Sequence, residues 1–148
     1  MTLETIQNDS AVDIVNGSTI YDVLVIGGGP AGLAVATGVA RQLYNAVVFD
    51  SGIYRNARAD AMHNVPGWDD AAPADFRAKI RSDLDSNYST VRFEQTCIEK
   101  VRETENGQFE AEDANGRRWK GLKLALATGV RDVFPDISGY DDLWGRGM

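Results

Sequence analysis

Cysteine is almost missing from this chain. The single copy, Cys97, rules out an intrachain disulfide and a C-x-x-C redox pair within the sequence. Histidine is equally scarce, and one His with one Cys is a poor ligand set, so no metal site is expected. No apolar run approaches the ~20 residues that a membrane helix needs, and no membrane association is expected. Positive charge is in the minority: 15 Lys and Arg against 22 Asp and Glu leave a net charge of −7. Such a chain repels phosphate backbones, which argues against a nucleic-acid partner. The opening MTLETIQNDSAVDIVNGSTI lacks the basic start and continuous apolar stretch of a secretory signal. A cytoplasmic location is the resulting expectation, and residues 1–19 read as a loose or partly docked tail.

What is present is enough for one domain with a real core over 148 residues. Tyr21 to Ile26 is a Val- and Ile-rich run that ends at glycines, the pattern of a buried parallel strand. Pro30 to Leu43 suits a helix, with Pro30 in the first turn where its missing N–H costs nothing. Ala46 to Asp50, AVVFD, is a second buried strand, so residues 21–50 form a β-α-β unit. Residues 51–72 have no clear period and mix turn formers with Arg, His and Trp, which marks a functional or mobile loop. Phe76, Ile80 and Leu84 at helical spacing predict a helix over about 74–86. Over 90–129, Asn106-Gly107 and Asn115-Gly116 each sit between alternating apolar and polar residues. They predict two successive hairpins with type I′ turns. In this reading Cys97 belongs to a strand through FEQTCIEKV, and the third meander strand runs on through LKLALATG into the parallel sheet. Residues 130–148 read as an irregular C-terminal loop.

Gly27-Gly28-Gly29-Pro30-Ala31-Gly32 satisfies G-x-G-x-x-G, a weak pattern by itself. Here it follows a predicted strand, opens a predicted helix, and is followed 18 positions after Gly32 by Asp50 at the end of the next strand. Gly27 permits the tight turn, Gly29 lets the backbone approach a pyrophosphate, and Gly32 lets the helix pack on the sheet. The helix start offers unpaired N–H groups and about half a positive charge to an anion. Asp50 can accept hydrogen bonds from ribose hydroxyls. The pattern points to a dinucleotide and leaves NAD and FAD open, with a ligand-free glycine turn as the structural alternative.

The segments YDVLVIGGGPAGLAVA, VVFDSG, HNVPG, ALATG and LWGRGM occur in the order and spacing seen in thioredoxin reductase-like flavoproteins of the class-II pyridine nucleotide-disulfide oxidoreductases. The chain most resembles their fungal branch, which includes the gliotoxin-type dithiol oxidases of secondary metabolism. The resemblance covers about residues 20–148 and implies FAD as cofactor, an oxidoreductase activity, a small-molecule substrate of unknown identity and a possible homodimer. It implies that Gly28, Gly29, Pro30 and Ala31 face the pyrophosphate, with Asp50 at the adenosine ribose and Ser51 among the cofactor-binding residues. It places Arg55 and Asn56 along the cofactor, and His63 and Asn64 toward the flavin. The backbone at Cys97 and Ile98 then meets the adenine, and Ala127, Thr128 and Gly129 form a second crossing. Each has a plainer alternative: Arg55 as a solvated loop charge, His63 as a surface residue, Cys97 as a small buried strand residue, Thr128-Gly129 as a strand-end turn. Trp68, Trp119 and Trp144 read as packing residues.

In that family the segment after GRG continues into the C-x-x-C pair, an NADPH domain and a returning segment over the flavin. This sequence ends at Met148. The expected fold is therefore α/β: a Rossmann-like FAD-binding domain with a parallel sheet and an attached three-stranded antiparallel β-meander, truncated relative to the family. No catalytic residue is expected in it, and FAD should bind more weakly than in full-length relatives. The alternative is a natural short, non-redox derivative, a cyclase, isomerase or binding module using the vacated cleft. An NAD-binding fragment is disfavoured, because HNVPG and ALATG have no role in a minimal NAD site.

Overall fold

A computed structural model describes residues 13–15 and 18–144 of the chain. Strand β1 (Asp13–Val15) pairs antiparallel with the start of β2 (Ser18–Ile26). Part of the expected tail is therefore a strand, and β2 begins three residues before Tyr21. Residues 1–12, 16, 17 and 145–148 lie outside the described residues, and with them the end of the LWGRGM segment; within the expected C-terminal loop, Tyr140–Leu143 forms a short helix. From Val23 onward β2 is flanked on both sides by parallel neighbours, which explains its unbroken apolar run.

Helix α1 (Pro30–Arg41) follows, with Gly29 as N-cap and Pro30 at the first helical position. Its buried residues Gly32, Leu33, Ala36 and Ala40 lie about a helical repeat apart and face the sheet. The helix ends two residues before Leu43. Leu43 takes a left-handed conformation (φ 61°), and its N–H donates to the Ala40 carbonyl while that of Tyr44 donates to Val39. This is the closure that glycine normally makes, so the sequence carried no stop signal.

Strand β3 (Ala46–Phe49) is buried at every position. Helix α2 (Pro73–Asn87) is one residue longer at each end than the spacing predicted. With α1 it covers one face of the sheet, where Leu84 joins Leu33, Ala36, Ala40, Val25, Val48 and Val91 in one core.

The run through FEQTCIEKV is not one strand. It divides into β4 (Val91–Glu94), parallel to β3, and β5 (Ile98–Glu103), which belongs to the meander. With β6 (Phe109–Asp113) and β7 (Arg118–Leu126) the order is β4-β3-β2-β7-β6-β5. The two halves of the supposed strand thus lie at opposite ends of the sheet, and Gln95–Cys97 is the crossing between them. Cys97 is exposed there rather than buried in a strand.

Both hairpins form, with a different turn. The Gly107 N–H donates to the Thr104 carbonyl, the Thr104 N–H donates to Gln108, and only Gly107 of the Asn-Gly pair has positive φ. Asp113, Gly116 and Arg117 repeat the arrangement. Each is a three-residue loop built on a type I turn, with glycine at the left-handed bulge position, not a type I′ turn.

β7 pairs antiparallel with β6 through Arg118–Gly121 and parallel with β2 from Lys120. The changeover falls at Gly121, where a Cβ would sit 2.6 Å from Leu24 Cγ. This lets the meander lie over the sheet face opposite the helices. Phe109, Ala111 and Trp119 pack there on Tyr21, Leu24, Ile26, Val47 and Phe49. Phe49 meets Trp119 edge-on at 4.9 Å between ring centroids.

Candidate functional site

The parallel strands deliver their C-terminal ends to one edge, where open α/β sheets place ligands. A cleft of about 560 Å³ lies there, reached by Ile26 of β2, Phe49 of β3 and Ala127 just beyond β7.

Its floor is the glycine loop. Gly27 has φ +118°, and a Cβ on it would overlap the Ala127 carbonyl oxygen. A Cβ at Gly28 would overlap the Asp50 carboxyl group, and one at Gly32 the Gly27 carbonyl oxygen. These glycines let loop, helix and sheet touch. Gly29 differs: a Cβ there would meet nothing within 4 Å. Its backbone borders the cleft at the N-terminus of α1, which no side chain caps. The first-turn N–H groups have no intrahelical partners, so the helix end presents donors and partial positive charge at the glycine loop.

Of the residues singled out from the sequence, Gly27, Gly28, Gly29, Pro30, Ala31, Ser51, Arg55, Asn56, Cys97, Ile98, Ala127, Thr128 and Gly129 all line this cleft. Segments far apart in the chain converge because strand ends and the 95–97 crossing meet at the same edge. Gly32 lies in the first turn of the helix and serves packing. His63 and Asn64 do not line the cleft. His63 is exposed beside Asp70, with Nδ1 3.4 Å from Oδ1. Asn64 has φ 61°, and its N–H donates to Asp69 Oδ1 at 2.7 Å. The two residues belong to a turn closed by backbone bonds between Met62 and Asp70 and between Met62 and Ala71.

Asp50 is buried, and it lines a recess of about 240 Å³ beside the cleft rather than the cleft itself. Its Oδ1 accepts the Gly52 N–H at 2.9 Å, and its Oδ2 accepts the Tyr54 hydroxyl at 2.7 Å. Arg81 approaches the same Oδ2 at 3.5 Å. Burial, then the hydrogen bond to Asp50, pushes the Tyr54 phenol above the usual tyrosine range. Gln95 anchors the crossing by donating its side-chain amide to the Asp50 carbonyl at 2.9 Å.

Arg55 is exposed but not merely solvated. It makes a two-pronged contact with Asp132, Nε to Oδ2 and an NH group to Oδ1, each at 3.0 Å. That pair joins the loop after β3 to the segment after β7, both of which line the cleft. Hydrogen bonding to Asp132 raises the Arg55 pKa further.

Sequence reasoning missed Ile53, Tyr54, Arg58, Ala59, Thr96 and Asp132 as lining residues. Tyr54 had one available signal, an aromatic residue four positions after the acid in an otherwise turn-forming stretch. Trp144, expected only to pack, both lines the cleft and packs with Phe134 and Tyr140. Trp119 and Trp68 pack as expected, the latter edge-on to Phe76.

No group of three or more His, Cys, Asp or Glu that could hold a metal occurs among the described residues. Nor is any described helix long and apolar enough to cross a membrane.

The family pattern for pyridine nucleotide-disulphide oxidoreductases matches residues 21–148. A protein named thioredoxin reductase tcpT, of Claviceps purpurea, is 51% identical over 132 residues, covering 88% of this chain and 41% of that one. Thioredoxin reductase aclD of Aspergillus oryzae is 47% identical over 130 residues, covering 87% and 41%. The solved oxidoreductase of Agrobacterium tumefaciens superposes with a TM-score of 0.81 at 33% identity, over 86% of this chain and 43% of that one. The chain thus spans about two-fifths of the length of these relatives, and the matched part corresponds to the Rossmann-like unit and meander described above. By glycine loop, sheet order and sequence, the chain belongs to the pyridine nucleotide-disulphide oxidoreductase family, on its thioredoxin reductase-like side.

Proposed function

We propose that residues 20–148 form part of an FAD-binding domain and that the cleft holds the ADP portion of FAD. The observation that carries this reading is Gly29. It is the one loop glycine of the motif whose Cβ would meet open space, and that space adjoins an uncapped helix N-terminus. A pyrophosphate is the group such a position favours.

In this reading the backbone of Gly28, Gly29 and Ala31 holds the pyrophosphate, with Pro30 setting the helix start. Ser51 and Asp50 serve the ribose. Thr96, Cys97 and Ile98 border the adenine, and Ala127, Thr128 and Gly129 border the chain leading toward the flavin. Arg55 and Asn56 lie alongside. His63 and Asn64 stand apart from the cleft and, if they serve the flavin, do so from their exposed turn. Bound flavin supplies hydride and electron transfer, while the protein supplies binding, orientation and electrostatics. The activity proposed for the whole enzyme is that of a thioredoxin reductase-like oxidoreductase of fungal secondary metabolism, acting in the cytoplasm on a small molecule, with a second copy as partner.

The test is a titration of flavin-free protein with FAD, followed by flavin fluorescence and by alkylation of Cys97. That thiol is the only one in the sequence and lines the cleft, so a maleimide reports a single site. Saturable quenching with matching protection of Cys97 is the expected result. A folded protein that leaves flavin fluorescence unchanged and Cys97 fully reactive would overturn the proposal.

A further inference from the structure

Asp50 occupies the chain position where a nucleotide-binding β-α-β unit keeps its acid for ribose hydroxyls, yet its carboxylate is already engaged. One oxygen holds the Gly52 N–H, and the other accepts the Tyr54 hydroxyl at 2.7 Å. Tyr54 lines both the cleft and the recess that contains Asp50, so its ring borders both spaces. The Arg77 guanidinium lies over that ring at 3.9 Å from its centroid and donates to Asn56 Oδ1 at 2.7 Å. The tyrosine is therefore held in place from behind as well as by its hydroxyl.

We propose that Tyr54 is a specificity-determining residue of the cleft, whose hydroxyl takes on Asp50 the place of a ribose hydroxyl. This rests on the nucleotide reading above. A ligand with a free ribose diol exchanges one neutral O–H donor for another on the same carboxylate oxygen. A ligand without the hydroxyls makes no such exchange and leaves Tyr54 bonded. A ligand phosphorylated on that ribose brings negative charge toward Asp50 and offers fewer donors, so it is rejected. Because the Tyr54 bond must open first, the diol-competent form is a fraction of the empty protein, and apparent affinity falls by that fraction.

The experiment compares ADP with 2′,3′-dideoxy-ADP by calorimetry, on the parent chain and on Tyr54→Phe. The substitution keeps the ring under Arg77 and removes only the competing hydroxyl. ADP should bind the variant roughly fivefold more tightly, and dideoxy-ADP should be unchanged, so the preference for the diol widens. Asp50→Asn should lower that preference in either background. Independently of any variant, ADP should give the parent a tyrosine ultraviolet difference signal that dideoxy-ADP does not. Binding of ADP with an unaltered ratio between the two ligands in Tyr54→Phe, or equal tyrosine signals from both, would overturn the role of Tyr54 alone. A folded parent that binds neither ADP nor FAD would overturn the nucleotide reading and this inference with it.

Discussion

Replacing Gly29 and Gly32 by alanine, one at a time, separates binding from folding within a single motif. Gly29 has φ −77° and ψ −177°, an extended conformation open to any residue, and its added methyl would meet nothing within 4 Å. Alanine gains about 0.4–1 kcal/mol by restricting the unfolded chain. It loses a similar amount as a poorer N-cap than glycine. The two effects nearly cancel, so Gly29→Ala should change stability by less than about 1 kcal/mol. Gly32 is different. Its methyl would overlap the Gly27 carbonyl oxygen, lie 3.0 Å from the carbonyl carbon, and touch Val25 at 3.4 Å. The obstacle is backbone, which cannot rotate aside, so the cost belongs at the upper end of overpacking, about 3 kcal/mol. Better helix propensity returns about 1 kcal/mol, leaving a loss of about 2 kcal/mol. Urea unfolding followed by tryptophan fluorescence measures both. FAD titration of the stable Gly29→Ala protein should show at least about tenfold weaker binding, near 1.4 kcal/mol, because the methyl enters the space assigned to the pyrophosphate. Undiminished FAD affinity in that variant would refute the placement of the ligand. A loss of stability equal to that of Gly32→Ala would refute the steric distinction between the two glycines.

Other consequences can be measured on the same protein. Leu43→Gly should stabilise the chain by about 1 kcal/mol in urea, since it relieves a left-handed, non-glycine helix end. Gly121→Ala should cost about 1–3 kcal/mol through its clash with Leu24. Adding Leu24→Ala should give a double variant less destabilised than the sum of the two. Burial by itself would raise the Asp113 carboxyl, but bonds from the Arg117 side chain and N–H, the Thr96 hydroxyl and the Asn115 N–H outweigh it and hold the pKa below the usual range. The stability this carboxylate contributes is present above that range and lost as pH falls through its lowered pKa. The drop in urea midpoint from about pH 7 to about pH 3 should therefore be smaller in Asp113→Asn than in the parent. Asp132→Asn should release Arg55 toward the cleft and tighten FAD binding severalfold in low salt, an effect that shrinks in high salt because the Arg55 side chain is exposed. Equal affinities in low salt would show that Arg55 does not reach the ligand.

Elements governed by local pattern were legible in the sequence. The β-α-β unit follows from two apolar runs around a glycine loop, and each of those runs is buried because the helices cover one face of the sheet and the meander the other. The hairpins followed from Asn-Gly. Their turn type did not, because glycine alone supplies the positive φ and asparagine takes the preceding turn position. The division of FEQTCIEKV into β4 and β5 was invisible, since its alternation suits two edge strands as well as one long strand. Only the partners of each half reveal the break, and these lie at opposite ends of the sheet.

The candidate site divides the same way. The glycine spacing determined that a helix N-terminus would open beside a strand end, because both follow from neighbouring residues. Which side chains share that space was a tertiary matter. Cys97 came to the cleft by a crossing between distant strands, and Asp132 met Arg55 across 77 residues. Asp50 fits beside the loop because Gly28 has no side chain to overlap its carboxyl group, and its oxygens are taken by the Gly52 N–H and the Tyr54 hydroxyl. Chain position thus determined where the acid sits, while the packing around it decided what its oxygens hold.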